Sequence, residues 1–369
     1  MPEPTPGLIF LILAHNEELV LQRSLGALTG QLGAHDRVQI VADRCSDRTA
    51  ALARTQGAEV LLRNEPAPPG KGAALRWWVE HQHLDAQQPV IILDADSIVR
   101  PGFVLNIRSA FRNPEIGAVQ TALNPVSALQ SPISAVISLS ERIDQGFFDA
   151  LRYRLGGSVR LRGTGMGIRF GLLQSCVPGL ETNVEDLELT LLLAAQGVRI
   201  HALSAAFLDD PKPDDPGLAA HQRARWFQGQ IQTILAHQRS TLRILFRGPL
   251  AWSLMHSLMT KPRTLFFPLK TLAIALLLIW SKRAGIMTAA GMLAALLAAH
   301  LTVECAALAY ALLTIKDKGA GRLALKGSPG FVWMWVTGIA LAARRQPEWL
   351  RGRVLRLIRP ANESIRQSQ

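Results

Sequence analysis

Asp94 and Asp96 stand one residue apart directly after the apolar run of residues 90–93. Two carboxylates at a strand end can hold a divalent cation, Mg2+ or Mn2+, whose remaining ligands are diphosphate oxygens and water. Such an ion offsets the charge that builds on a departing nucleoside diphosphate. A second acidic pair, Glu185-Asp186, opens an amphipathic segment that closes at Gly197. Two readings of it stay open: acidic residues favour the first turn of a helix, and Asp186 can serve as a general base that takes a proton from an acceptor hydroxyl. In Gln222-Arg223-Ala224-Arg225-Trp226, the planar fork of Arg225 suits a diphosphate and the face of Trp226 suits a sugar ring. An Arg and a Trp at a membrane surface would produce the same pair.

Two glycine-rich stretches exclude other chemistries. Gly163-Thr164-Gly165-Met166-Gly167 allows close backbone approach, but Ile168 occupies the place of the third glycine in the dinucleotide fingerprint. Pro69-Gly70-Lys71-Gly72 is not a phosphate-binding Walker loop, because Glu65 replaces its first glycine and Gly72 its Ser or Thr. ATP hydrolysis is therefore not supported.

The elements that must position these residues follow from periodicity. The run 8–13 is short and apolar, and 17–28 then has helical spacing; the rhythm repeats with strand 38–42, helix 46–56 ended by Gly57, strand 59–63, a helix after Gly72 and strand 90–93. Strands separated by single helices predict an α/β fold with a mostly parallel sheet covered on both faces. Ligands bind outside the carboxyl ends of such strands. That edge carries His15-Asn16-Glu17, Asp43 and Asp94-Ala95-Asp96. Residues 209–216, DDPKPDDP, are expected to form a loop leading into a helix near His221.

Apolar residues make up 49% of the 369 residues and crowd into the part after Thr264, so a catalytic part is expected to precede a membrane part. Residues 241–263 interleave basic residues with Trp252, Leu254, Met255, Leu258 and Met259, as interfacial amphipathic helices do; an ordinary amphipathic core helix has the same pattern. Stretches 264–281 and 285–315 are each long enough to span a bilayer, and 331–343 is a third apolar segment, interfacial, re-entrant or spanning. Glu304 and His300 interrupt the second stretch.

The formal net charge is +12. Nucleic-acid binding would scatter basic and aromatic residues across the front part, whereas the excess collects beside the apolar segments. From Arg344 onward seven arginines face only Glu348 and Glu363, which suits an anionic lipid surface. The partner implied is a lipid bilayer, with no nucleic acid. Cys45, Cys176 and Cys305 are too scattered for a disulfide framework or a zinc site. The start of the chain lacks the basic region of a signal peptide, so the front part is expected on the cytoplasmic side.

Taken in order, ILAHNEE, VADRCSDRTA with Asp43, GKGAAL, LDADS, RGTGMGIR, NVEDLELT and QRARW resemble the family 2 glycosyltransferases of the GT-A fold. The resemblance is to the membrane-bound branch that includes cellulose, chitin and hyaluronan synthases. It covers residues 7–240, and the 35 residues between Asp186 and Gln222 match that branch's spacing. It implies a cytoplasmic GT-A catalytic domain over 1–240, interfacial helices over 241–263, a membrane region over 264–343 and a basic cytoplasmic tail over 344–369, at a bacterial inner membrane.

The resemblance also assigns roles. Glu17 and Asp43 would contact the base and ribose of a UDP-sugar. Lys71, in the GKGAAL motif, and Asp94 would contact the nucleotide, and Asp96 with Asp94 the metal. Asp186 would be the base of an inverting displacement and Glu185 its helper. Gln222, Arg225 and Trp226 would bracket diphosphate and acceptor, and the Gly165-Met166 turn would line the acceptor site. Val184 stands where the family often has Thr. The small membrane part fits a single-addition enzyme on a lipid-linked or glycan acceptor, or a synthase that needs other polysaccharide-assembly subunits, better than self-contained polymer export. The alternative, a non-catalytic glycosyltransferase-like membrane subunit, predicts loss of the base or of a metal carboxylate, yet Asp94, Asp96 and Asp186 are all present.

Overall fold

The computed structural model describes residues 7–64, 69–126, 131–182, 184–213, 215–259, 263–284, 287–315 and 318–344. Asn183 and the arginine-rich tail beyond Arg344 lie outside the described residues. The predicted alternation is present: β1 (Ile9–Ala14), α1 (Glu18–Thr29), β2 (Arg37–Asp43), α2 (Thr49–Thr55), β3 (Glu59–Arg63), α3 (Lys71–Glu80) and β4 (Pro89–Leu93). Along β1 the side chains alternate between two cores. Phe10 and Ile12 pack with Leu21, Leu25 and Phe103 on one face, while Ile9, Leu11 and Leu13 pack with Leu75, Trp78 and Leu189 on the other. A strand buried on both faces reads as an unbroken apolar run, which is why 8–13 shows no alternation in the sequence.

The chain continues through β5 (Ile98–Val99), α4 (Phe103–Phe111), β6 (Ala118–Val126), α5 (Pro132–Glu141), a π-helical stretch Arg142–Asp149, α6 (Ala150–Arg154), β7 (Met166–Arg169), α7 (Phe170–Cys176), α8 (Glu185–Gln196) and β8 (Ile200–Pro211). The eight strands are ordered β3-β2-β1-β4-β7-β6-β8-β5. The first four are parallel, β7 runs antiparallel to both β4 and β6, and β8 lies parallel to β6. The expected mostly parallel sheet therefore carries a mixed second half.

That second half corrects the reading of 209–216 as a loop. Asp209, Asp210 and Pro211 pair with Asn124, Pro125 and Val126 as the end of β8. Pairing in register with a long neighbouring strand outweighs the local cost of Pro and Asp. The predicted helix follows as α9 (Pro216–Ala236), with proline at its first position.

Beyond it lie α10 (Gln238–Leu245), α11 (Pro249–Met259), α12 (Arg263–Ala284), α13 (Met287–Thr314) and α14 (Lys318–Arg344). Leu254, Met255 and Leu258 of α11 pack with Ile244 against Leu191, Ala194 and Ala195 of α8. That face is core, while Leu242, Phe246 and Trp252 remain exposed. Residues 281–283 belong to the end of α12. One stretch, Gly291–Thr314 with mean hydropathy 1.8, is long and apolar enough to cross a membrane by length and composition. The apolar part of α12, Leu269–Trp280, is shorter. Glu304 is not an isolated intramembrane charge: Lys270 Nζ donates to its Oε1 at 2.8 Å and to His300 Nδ1 at 3.0 Å, joining α12 to α13.

Segment 331–343 is continuous with the residues before it. It is the second half of α14, which runs through Pro329 and packs Phe331, Met334 and Trp335 against Ile133, Val136, Ala219 and Ala220 of α5 and α9. Close approach explains two of its glycines. A Cβ at Gly327 would lie 2.0 Å from the Pro132 carbonyl oxygen, and one at Gly338 would lie 3.1 Å from that of Ala220.

Candidate active site

The parallel strands end at loops held in unusual conformations. Asn16 after β1 and Arg44 after β2 are non-glycine residues with φ of 57° and 51°. Such backbone persists only where surrounding bonds over-determine it. Here Asn16 Oδ1 accepts from the Ser46 backbone N–H at 2.8 Å and the Glu17 N–H donates to Thr49 Oγ1 at 2.8 Å. Glu17 stands at the N-cap of α1 without using its side chain as a cap. Its carboxyl is raised above the ordinary range first by burial, then by the charges of Asp96 and Asp94, with Lys71 opposing.

Asp43, expected at the base and ribose, ends β2 between two arginines. Arg63 Nη1 and Arg44 Nε donate to its Oδ1 at 2.7 and 2.9 Å, and Arg44 Nη2 to its Oδ2 at 3.0 Å. Burial opposes ionisation of this carboxyl, yet the two arginines hold it below the usual carboxylate range. Both oxygens are thus taken up inside the protein.

A cavity of about 220 Å³ brings Lys71, Asp94, Asp96, Thr164, Glu185, Asp186, Asp210, Gln222, Arg225 and Trp226 together from six elements and their flanking loops. At one end Lys71 Nζ is ion-paired with Asp94. The Asp94 backbone N–H donates to Thr164 Oγ1 at 3.1 Å, and Thr164 is also hydrogen-bonded to Ser97 at 2.8 Å. Asp96 is raised by burial, then by Asp94 and Asp210; Asp210 is likewise raised by burial, with Lys212 opposing and Glu141 and Asp94 adding to it. This surplus of negative charge suits a cation, and Asp94, Asp96 and Asp210 are the donors present. Among the described residues no three His, Cys, Asp or Glu side chains form a ready-made metal cluster.

Glu185 and Asp186 begin α8, and Leu187 N–H donates to Asp186 Oδ1 at 2.8 Å, so capping and a place in the cavity coexist. Glu188, two residues on, serves structure: it accepts from the Glu181 and Thr182 backbone and pairs with His237 Nε2 at 2.8 Å. Glu185 is buried and pushed up to about 7, by desolvation first and by Asp186, with Lys71 opposing. Asp186, half-buried, is raised by burial, while Leu187 N–H, Arg160, Arg225 and Lys71 pull it back.

A consequence concerns stability. The folded-state pKa of Glu185 lies above its ordinary value, so the unfolded chain releases this proton first and stability falls as pH rises through about 7. Glu185→Gln removes that penalty. Its melting temperature relative to wild type is expected to be higher at pH 8 than at pH 5.5, measured by thermal unfolding in detergent; an equal difference at both pH values would contradict it.

The acceptor-side expectations need correction. Met166 is fully buried in the core as the first residue of β7, paired with Ile92 and Gln120. Gly165, with φ of +65°, is pressed against Thr121 and Leu208. Neither lines the cavity; Gly163 and Thr164 do. The glycine run was read two residues out of place because only the sheet decides where the turn stops. Trp226 also differs from a bare platform: the Arg223 guanidinium lies 4.2 Å from its ring centroid.

The sequence reading missed Asp210, Arg160, Arg162, Arg223, Leu258 and Trp335, all of which line the cavity. Arg162 is bound to Glu141 at 2.6 Å and to Asp149, and Arg160 to Asp144 at 3.2 Å. These pairs fasten the 160–164 segment to α5 and the π-helical turn. Only Asp210 left a signal, as an acid within the aspartate-rich run of residues 209–216.

A mostly parallel sheet with a paired carboxylate at its ligand-binding edge and a second acidic pair in the same cavity is a GT-A-like architecture. The model of the glycosyl transferase family group 2 matches residues 89–313, and the chain belongs to that family of glycosyltransferases. It is 29% identical over 264 residues to beta-monoglucosyldiacylglycerol synthase of Trichormus variabilis, covering 69% of this chain and 55% of that one. To the probable glycosyltransferase YdaM of Bacillus subtilis it is 25% identical over 241 residues, covering 62% and 56%. The matches thus span little more than half the length of these curated relatives. Mannosyltransferase PcManGT from Pyrobaculum calidifontis, solved with GDP-Man and Mn2+, has a TM-score of 0.51 over 93% of this chain and 87% of its own, at 17% identity. That likeness is one of fold.

Proposed function

We propose that the protein transfers a sugar from a nucleoside diphosphate sugar, UDP-linked by the family resemblance, to a hydroxyl of a lipid-linked acceptor presented at a membrane, by a single inverting displacement. The observation that carries this reading is one cavity lined by Lys71, Asp94, Asp96, Asp186, Arg225 and Trp226 together. The diphosphate lies towards Lys71, with Arg225 compensating its charge through a planar fork. Asp94, Asp96 and Asp210 would hold Mg2+ or Mn2+, which when bound offsets charge on the leaving diphosphate.

Asp186 takes the proton of the acceptor hydroxyl as its oxygen bonds to the anomeric carbon; the bond from that carbon to the diphosphate oxygen breaks and the nucleoside diphosphate leaves. Of the acidic pair only Asp186 is open enough to meet an acceptor, while buried Glu185 acts electrostatically on Lys71. Displacement on an α-linked donor gives a β-linked product, the configuration in the name of the Trichormus relative, and diacylglycerol in that name favours a lipid acceptor. The apolar stretch Gly291–Thr314 and the exposed Leu242, Phe246 and Trp252 beside Arg239 and Arg243 support attachment to a membrane, with the cavity facing the cytoplasm.

The test is nucleotide release from a panel of UDP- and GDP-sugars by full-length protein in lipid nanodiscs, with Mg2+, Mn2+ or chelator. Metal-dependent release that rises when a lipid acceptor is supplied is expected. Tight nucleotide binding without turnover on any acceptor would instead favour a non-catalytic subunit.

A further inference from the structure

In this cavity, two buried hydrogen-bond donors have no partner among the described residues. Arg223 is 6% exposed, and its Nε has no hydrogen-bond partner. Trp335, from α14, is also 6% exposed, and its indole N–H has none. Both side chains line the cavity. The guanidinium lies 4.2 Å from the ring centroid of Trp226 and 5.3 Å from that of Trp335.

Stacking uses the faces of a guanidinium and leaves the N–H edge in its own plane available. Among the described residues no carboxylate lies within ion-pair distance of Arg223. Glu141 and Asp144 act on it electrostatically, but Arg162 binds Glu141 at 2.6 Å and Arg160 binds Asp144 at 3.2 Å. A buried cation is costly unless paired, and cation–π stacking recovers only part of that cost. A neutral ester or hydroxyl would satisfy the N–H groups without neutralising the charge.

We propose that Arg223 and the Trp335 indole N–H form an anion subsite, separate from the donor-diphosphate end, that binds a phosphate group of the acceptor lipid. The donor end has its own cations in Lys71 and Arg225. The lining that Arg223 shares also has apolar surface, from Ile137, Leu258 and the two tryptophans. Its helices α5 and α14 also pack with Ala311 and Leu312 of the apolar helix α13. A phosphate attached to acyl chains fits this combination of charge and apolar wall. The inference rests on the acceptor reading above and narrows it: the preferred acceptor carries a phosphodiester near its hydroxyl, and neutral diacylglycerol is a poor one.

The test separates binding from turnover. Tryptophan fluorescence of full-length protein is titrated with dihexanoyl phosphatidylglycerol, with dihexanoylglycerol and, separately, with UDP, for wild type, Arg223→Gln, Arg223→Lys and Trp335→Phe. Wild type is expected to bind the phosphatidyl compound at least tenfold more tightly than the neutral one. Arg223→Gln loses that preference, Arg223→Lys keeps part of it and Trp335→Phe weakens it several-fold, while UDP affinity is unchanged and reports that each variant is folded. Equal affinity of wild type and Arg223→Gln for the phosphatidyl compound overturns the proposal. A fall in UDP affinity of Arg223→Gln, with its melting temperature and Arg223→Lys normal, assigns the guanidinium to the donor diphosphate and overturns it too. Preferential binding without sugar transfer to any lipid would leave the subsite standing and remove the transferase reading.

Discussion

Asp186→Asn is expected to lower transfer by about 10³-fold, within the range that general-base removal costs, while nucleoside diphosphate and metal still bind. The carboxylate sits in the cavity near Gly163. Its local bond, accepted from the Leu187 N–H, can be kept by an amide oxygen. The variant therefore removes the proton acceptor without disturbing α8. Steady-state turnover alongside calorimetric nucleotide titration separates the two effects; retention of more than a tenth of wild-type turnover would remove Asp186 from the role of base.

The pH profile supplies a second readout. A base must be deprotonated, and burial raises Asp186 above its ordinary value, so the acid limb lies at higher pH than for a solvated aspartate. Arg160 and Arg225 pull the other way. Arg160→Gln should therefore move the acid limb upward, and a limb unmoved by it would mean another group controls it. Because Glu185 and Asp186 are adjacent and interact, the limb belongs to the pair.

Asp96→Asn is expected to abolish the enhancement of donor binding by Mn2+. The loss should reach at least the ~10–100-fold that even a partner behind a metal ligand is worth. Asp94 is ion-paired with Lys71 and Asp210 with Lys212, so without Asp96 the two remaining carboxylates hold the ion less well. The same substitution relieves the crowding of Asp94, Asp96 and Asp210, so metal-free stability should rise or stay level while metal-dependent affinity falls. Nucleotide titration with and without Mn2+, together with thermal unfolding, reads both. Equal Mn2+ enhancement in wild type and variant would place the ion elsewhere.

The two acidic pairs and the parallel half of the sheet were legible because both are local. A buried strand shows as an apolar run, a strand-end acid as its immediate successor, and β1 to β4 alternate with helices in simple order. The second half of the sheet was not legible in this way. The end of β8 lies in a stretch whose composition says loop, and it becomes strand by pairing with β6. Met166 sits beside the cavity in sequence but inside the core in space, because β7 begins there and aims it away.

By itself the sequence determined the α/β class, the order of motifs and the identity of the carboxylates, since these depend on residue type, periodicity and short spacings. Tertiary structure alone decided what surrounds them. Asp43 turns inward to Arg63 and Arg44, Lys71 crosses to Asp94, and Trp335, more than a hundred residues beyond Asp186, is brought by α14 to Arg223. Charge pairing and helix packing act through space between segments whose separation along the chain carries no information about their distance. An arginine with no ion-pair partner among the described residues therefore emerges only from the packed structure.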